Sequence, residues 1–153
     1  MPHNFKIRDP DYASRIHRSF EAQGIMAHLG AKITSLGVGM CEISLPFNIF
    51  LSQQHGFFHG GVTGVIADSA GGYAAATLYH AEDEILTVEY KLNLIAPADG
   101  DWLIAKGHVL KAGKSLTVTT ADIFVKKDDQ EKQIAIMQQT LMRISGHNLN
   151  SGS

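Results

Sequence analysis

The chain has 153 residues, a formal charge of −2 at pH 7, 44% apolar residues and 18% charged residues. These values are typical of one folded domain with a sizeable core, and they exclude a disordered chain. The small net charge gives no electrostatic basis for a nucleic-acid partner. The single cysteine, Cys41, excludes an internal disulfide, and the first residues contain no apolar signal segment, so we expect a cytoplasmic protein.

The N-terminal region contains one amphipathic helix signal. Residues 9–11, Asp-Pro-Asp, are typical of a helix start, and Tyr12, Ile16 and Phe20 then recur at every fourth position. This spacing predicts one narrow apolar stripe. We therefore interpret residues 1–24 as an N-terminal helical extension.

Two strands follow, at residues 31–36 and 40–45. The Gly-Val-Gly at residues 37–39 between them is a hairpin signal, and Pro46 ends the second strand. Residues 48–58 are predicted to be an irregular connection.

The next segment, residues 59–79, has the sequence HGGVTGVIADSAGGYAAATLY and a single charged side chain, Asp68. As one helix it would be about 30 Å long. A membrane span is excluded because small residues dominate and a carboxylate lies at the centre. A helix that is apolar on all sides must be surrounded by other elements. A core helix without chemistry is the plain alternative, but an unpaired carboxylate within it would be costly and indicates a function for Asp68.

Four strands with short turns occupy the rest of the chain, at residues 86–94, 102–110, 116–125 and 133–144. In the first of them the apolar side chains alternate with polar ones, which predicts that Leu86, Val88, Tyr90, Leu92 and Leu94 face the helix.

Successive strands joined by short turns form an antiparallel sheet, and with one long helix available that sheet must curl around it. The predicted class is α+β. Residues 25–146 form a single domain, and the Asn-, Ser- and Gly-rich residues 147–153 are expected to be a disordered tail.

The start of the long helix has the properties of an oxyanion site. Free N–H groups of the first turn and the two glycines Gly60 and Gly61 let a ligand oxygen approach the backbone. Asp68 lies eight residues further on, about 12 Å along the same helix, which is too far for one reaction centre. Two antiparallel copies of the helix would bring Gly60 of one beside Asp68 of the other, twice. The sequence therefore predicts a homodimer with two shared sites.

Two other side chains are poor nucleophile candidates. Ser69 lies in Ala-Asp-Ser-Ala-Gly, which loosely imitates a nucleophile elbow, but the serine is mid-helix in a chain too short for that fold. Cys41 lies in a strand-like run and is interpreted as a buried apolar residue. The eight histidines match no zinc-finger spacing, so we expect no metal site.

Several of these features occur together in one known group of proteins. They are Gln53, the His-Gly-Gly of residues 59–61, Asp68, the strand at 86–95 closed by Pro97, and the glycines of Gly100-Asp101, Gly107 and Gly113-Lys114. Together they resemble the hot-dog-fold acyl-CoA thioesterases, the PaaI-like and 4-hydroxybenzoyl-CoA thioesterase group, over about residues 25–145. The resemblance implies a curled antiparallel sheet wrapped around the central helix.

The resemblance also implies roles for individual residues. The Gly60 N–H would polarise the thioester carbonyl, with His59 supporting that turn. Asp68 of the partner subunit would be the catalytic carboxylate, as nucleophile or as general base on water. Gln53 would position the carbonyl or the water, a place that Gln54 or Asn48 takes if the loop is shifted. Thr87 would orient the water.

The expected substrate is an acyl-CoA, so coenzyme A is part of the substrate and no cofactor is implied. Gly61, Lys91, Lys111 and Lys114 are candidates for binding it, although solvated turn lysines are a plain alternative. The acyl group is not defined by the sequence. Five aromatic residues are candidates for lining its pocket or for ordinary core packing: Phe47, Phe50, Phe57, Phe58 and Tyr73. Neither a nucleic-acid nor a membrane partner is expected, and the assembly is a homodimer or a dimer of dimers.

Two other functions are open to the same fold. A hot-dog hydratase or dehydratase uses a histidine with the carboxylate, but the position five residues after Asp68 is Tyr73 here. A non-catalytic acyl-CoA sensor would use the same groove, but a carboxylate is a poor choice for lining an acyl tunnel.

Overall fold

The computed structural model describes residues 5–146. The predicted tail at residues 147–153 lies outside them. The ten elements, in chain order, are α1 (Tyr12–Glu21), α2 (Gly24–Leu29), β1 (Lys32–Gly37), β2 (Met40–Pro46), a 3-10 turn (Ile49–Leu51), α3 (Gly60–Ala76), β3 (Glu84–Leu94), β4 (Trp102–Ala112), β5 (Leu116–Lys127) and β6 (Gln130–Ile144).

The six strands form one antiparallel sheet in the order β1-β2-β4-β5-β6-β3. The sheet curls around α3, which contacts β2, β3, β4, β5 and β6. The class is therefore α+β, and the arrangement is the hot-dog fold that the sequence resemblance implies. β1 and β3 are the two edge strands. None of the helices within residues 5–146 is long and apolar enough to cross a membrane.

The small side chains of α3 explain how the sheet can surround it. Eleven of its seventeen residues are buried, among them Ala67, Ala70 and Ala74 at 0% exposure. At the closest approach Gly107 of β4 faces the helix backbone, and a Cβ atom there would lie 2.5 Å from the Ala70 carbonyl oxygen. The helix is shorter than the predicted residues 59–79. It ends at Ala76, where the Thr77 hydroxyl donates to the Ala74 carbonyl at 2.7 Å.

The N-terminal helix packs against the C-terminal end of α3. Ile16 and Phe20 are buried as the periodicity predicts. Arg15 donates to Asp9 at 2.8 Å and to the Ala76 carbonyl at 3.1 Å, so a cation lies at the negative end of the α3 dipole. The Arg15 guanidinium lowers the pKa of the Asp9 carboxyl.

Cys41 lies on β2 with 2% of its surface exposed. Burial raises the pKa of its thiol to about 12, so the group is protonated and unreactive at neutral pH. The interpretation of Cys41 as a buried apolar residue is confirmed.

Candidate active site

The first turn of α3 leaves one backbone N–H group free. His59 is the N-cap residue, and its Nδ1 accepts a hydrogen bond from the Gly61 N–H at 2.8 Å. The backbone N–H of His59 donates to the Leu51 carbonyl at 2.9 Å. The Gly60 N–H has no acceptor among residues 5–146. A Cβ atom at Gly60 would lie 2.8 Å from Leu94 Cδ1, so a larger residue at this position requires the Leu94 side chain to move.

The Asp68 carboxylate is held through one of its two oxygens. Oδ1 accepts from the Thr87 hydroxyl at 2.7 Å and from the Gln139 side-chain amide at 2.9 Å. The same amide donates to the Asp68 backbone carbonyl at 3.2 Å. No donor within residues 5–146 bonds to Oδ2. These charge-assisted bonds offset the cost of placing a carboxylate in an apolar helix, and they leave one oxygen for chemistry.

A bulge in β3 brings Thr87 to Asp68. The pairing of β3 with β6 shifts register between Thr87 and Glu89. Before the bulge Thr87 faces α3, whereas Leu86 is 56% exposed. After it Tyr90 and Leu92 lie against the helix near Gly64. The alternation prediction is therefore wrong for Leu86 and Val88, because an extra residue in one strand exchanges the two faces.

A cavity of about 210 Å³ opens beside Asp68, between α1, α3 and the start of β3. Its lining residues are Ser19, Gln23, Asp68, Ser69, Gly72, Tyr73, Glu84, Ile85, Thr87 and Leu141. The Tyr73 hydroxyl bonds to Ser19 at 3.2 Å and accepts from the Gln23 amide at 2.5 Å. Burial raises the pKa of Tyr73. The cavity therefore has the carboxylate on one wall and a polar cluster on another.

The loop before α3 holds Gln53 away from this cavity. Its side-chain oxygen accepts from the His55 N–H, and its backbone N–H donates to the Phe57 carbonyl at 2.9 Å. Phe58 is 3% exposed and packs edge-on against Phe47, with ring centroids 5.2 Å apart. In one subunit Gln53 and Phe58 accompany the His59 turn, and neither lines the cavity beside Asp68.

The three candidate lysines are exposed. Lys91 lies on the edge strand β3, and Lys111 and Lys114 lie at the β4–β5 turn. None of them forms an ion pair with an acidic side chain among the residues described.

His55 and His59 are four residues apart, but within residues 5–146 no three His, Cys, Asp or Glu side chains gather as metal ligands would.

Gly60 and Asp68, the two parts of the candidate site, lie on the same stripe of α3. Gly60, Gly64 and Asp68 are spaced by four residues and lie against Leu94, Leu92 and Thr87 of β3. Gly60 and Asp68 are about 12 Å apart along the helix axis. Both face the strand whose outer edge is unpaired within the subunit.

Gln139 was not predicted from the sequence as a residue of the site. It lies on β6 between the buried Met137 and Leu141, in the same inward phase, and is 1% exposed. A polar residue at an inward position of an apolar alternation is a signal that could have identified it.

Comparison with known proteins agrees with the fold and the helix motif. The profile of the thioesterase superfamily matches residues 55–132, about half of the chain, which includes His59, Gly60, Asp68 and Thr87. A thioesterase family protein from Silicibacter pomeroyi is 43% identical, with a TM-score of 0.87 over 88% of this chain and 99% of that one.

Two further similarities are more distant. The PaaI protein of Escherichia coli, from its phenylacetic acid degradation operon, shares the fold at 23% identity, with a TM-score of 0.80 over 91% of this chain and 97% of that one. The 1,4-dihydroxy-2-naphthoyl-CoA hydrolase of Listeria monocytogenes is 26% identical over 118 residues, which are 77% of this chain and 94% of that protein.

The curled antiparallel sheet around a central helix is the hot-dog fold, and the similar proteins named above are thioesterases or coenzyme A thioester hydrolases. The chain belongs to the thioesterase superfamily.

Proposed function

We propose that the chain hydrolyses an acyl-CoA thioester to the free acid and coenzyme A, in a homodimer with two shared active sites. The Gly60 N–H of one subunit polarises the thioester carbonyl, and Asp68 of the partner subunit is the nucleophile or the general base. One observation carries the proposal. The same stripe of α3 has a free Gly60 N–H at its start and, two turns later, an Asp68 carboxylate that is held through only one of its oxygens.

The unpaired edge of β3 supports the dimer. Its apolar side chains are exposed in the single subunit: Leu86 56%, Val88 55%, Tyr90 51% and Leu94 57%. An open strand edge of this kind is a template for pairing with a second copy. An antiparallel two-fold contact there covers the patch and brings the Gly60 turn of each subunit towards the other's Asp68. In a dimer of dimers, each dimer would keep its two shared sites.

The chemistry needs only groups that this chain supplies. Hydrogen bonding from the Gly60 N–H stabilises the negative charge that develops on the carbonyl oxygen. As a nucleophile, Oδ2 of Asp68 attacks the carbonyl carbon, the carbon–sulfur bond breaks, and water hydrolyses the resulting anhydride. As a general base, Oδ2 takes a proton from the attacking water and returns it to the departing sulfur. Thr87 holds Oδ1 in both routes, and no cofactor takes part.

The remaining predicted residues have places in this scheme. His59 caps the Gly60 turn through the Gly61 N–H, and Gln53 and Phe58 precede that turn. The acyl group enters the cavity beside Asp68, which Tyr73 lines. Lys91, Lys111 and Lys114 are candidates for the coenzyme A phosphates. The Listeria relative that acts on a coenzyme A thioester supports the substrate class. We assign the reaction to the cytoplasm.

A thiol-release assay with aryl, short-chain and long-chain acyl-CoA tests the function. We expect release of coenzyme A from at least one member of the panel, at a rate well above the uncatalysed one. Loss or addition of water without thiol release would identify a hydratase, and tight binding without turnover would identify a sensor. The buried Cys41 thiol will not react with the thiol reagent, so it adds no background.

A further inference from the structure

We propose that Gln139 is a positioning residue, which fixes the orientation of the Asp68 carboxylate. This inference rests on the proposed function, because it assigns Gln139 a task in the reaction of Asp68. The side chain is 1% exposed on β6 and reaches α3 with both amide hydrogens. One is donated to Asp68 Oδ1 at 2.9 Å and the other to the Asp68 carbonyl at 3.2 Å.

The surroundings fix the amide in one orientation. Both of its partners on Asp68 are acceptors, so the nitrogen must face them. Its oxygen lies against Gly71, where a Cβ atom would overlap Gln139 Oε1 and lie 2.7 Å from the Thr119 hydroxyl. Gly71 therefore gives Gln139 room to lie flat on the helix.

The hydrogen bonds of the Gln139 side chain all go to one residue. Within residues 5–146 its amide nitrogen donates to Asp68 Oδ1 and to the Asp68 carbonyl, and to no other group. This buried polar side chain at an inward position of β6 therefore serves Asp68 alone.

Holding Oδ1 has a direct consequence for Asp68. Thr87 of β3 and Gln139 of β6 both donate to Oδ1, so two strands of the sheet hold the carboxylate and Oδ2 keeps one direction. Gln139 is the donor from β6, where the strand faces the middle of α3.

The test replaces Gln139 by methionine, which has a similar length and no donor. The matched control is Thr119→Val, because Thr119 pairs with Gln139 across β5 and β6, is equally buried and does not contact Asp68. The first readout is the split between kcat and KM on the best substrate of the acyl-CoA panel, with thermal unfolding of each variant as the check on its fold. We expect Gln139→Met to lower kcat about 10- to 100-fold with little change in KM, and Thr119→Val to leave both within about twofold.

The second readout is the crystal structure of Gln139→Met, in which we expect the Asp68 carboxylate to leave the orientation that it has in the wild type. If Gln139→Met does not fold, Gln139→Glu retains the shape, removes both donated hydrogen bonds and should lower kcat to a similar extent.

The outcomes separate the two claims. An unchanged orientation of Asp68 in the crystal structure of the folded Gln139 variant overturns the positioning role, whatever the enzyme hydrolyses. A wild type that releases no thiol overturns the proposed function, while the crystal structures still decide whether Gln139 holds the carboxylate. A loss of kcat that is equal in Gln139→Met and Thr119→Val shows a structural role only and also overturns the proposal.

Discussion

Replacement of Asp68 by alanine is expected to lower kcat for thioester hydrolysis by about three orders of magnitude or more, with the fold and the assembly intact. Asp68 is the one carboxylate on α3, and its Oδ1 is already held by Thr87 and Gln139. In the proposed reaction, this change removes the group that attacks the carbonyl or activates water. Steady-state kinetics with the best substrate of the panel, together with sedimentation of the variant, measure the effect.

A matched control for this change is Asp99→Ala. Asp99 is an exposed carboxylate whose partner is Lys127, and it lies away from the cavity beside Asp68. Its removal should leave kcat within about twofold, since exposed ion pairs contribute little. Near-normal kcat in a folded, dimeric Asp68→Ala protein would overturn the assignment of the carboxylate.

Gly107→Ala is expected to destabilise the fold by about 2–3 kcal/mol or more, because overpacking at a rigid contact cannot be relieved by a rotamer change. The added methyl group would lie 2.5 Å from the Ala70 carbonyl oxygen and 2.6 Å from the Gly71 nitrogen, both backbone atoms of α3. The sheet and the helix would have to separate. Thermal unfolding should show Tm lowered by about 5–10 °C.

Gly72→Ala is the matched control for packing. It lies on the same helix and is also buried, but nothing is within 4 Å of its Cβ position. An alanine in a helix interior is favoured over glycine by about 0.5–1 kcal/mol, so Tm should stay constant or rise. Similar losses of Tm in both variants would show that the close approach of β4 to α3 is not what limits this contact.

The wrapping of the sheet around the helix could be predicted because it follows from one unusual segment. An apolar helix of small residues needs neighbours on every side, and the strands that follow provide them. The start of the long helix could also be predicted, since its signals are local: His59, Gly60 and Gly61 are adjacent in sequence, and α3 begins at Gly60 with His59 as its N-cap. The bounds of α3 differed because the chain tightens into an i→i−3 turn after Ala76, in which the Leu78 N–H donates to the Ala75 carbonyl and the Tyr79 N–H to the Ala76 carbonyl.

The bulge at Thr87 could not be predicted from alternation. The alternation of apolar and polar residues assumes a period of two along the whole strand. One extra residue exchanges the two faces of the strand from that point on, and the residue types do not show where it lies. The β5–β6 turn was also shorter than the expected residues 126–132. Asp128 and Asp129 form it with φ of 49° and 61°, a left-handed conformation that aspartate tolerates in two-residue hairpins. The flanking charged residues are strand residues with solvated side chains.

The most direct test of the shared site is complementation between two inactive subunits. One carries Asp68→Ala. The other carries Gly60→Pro, which removes the polarising N–H at a helix position where proline is accepted, and Leu94, being 57% exposed, can turn away from the ring. A heterodimer purified through two different tags contains one intact Gly60 opposite one intact Asp68. It should hydrolyse the best acyl-CoA substrate at about half the wild-type rate, because one of its two symmetric sites is complete. A heterodimer as inactive as either parent would contradict the account.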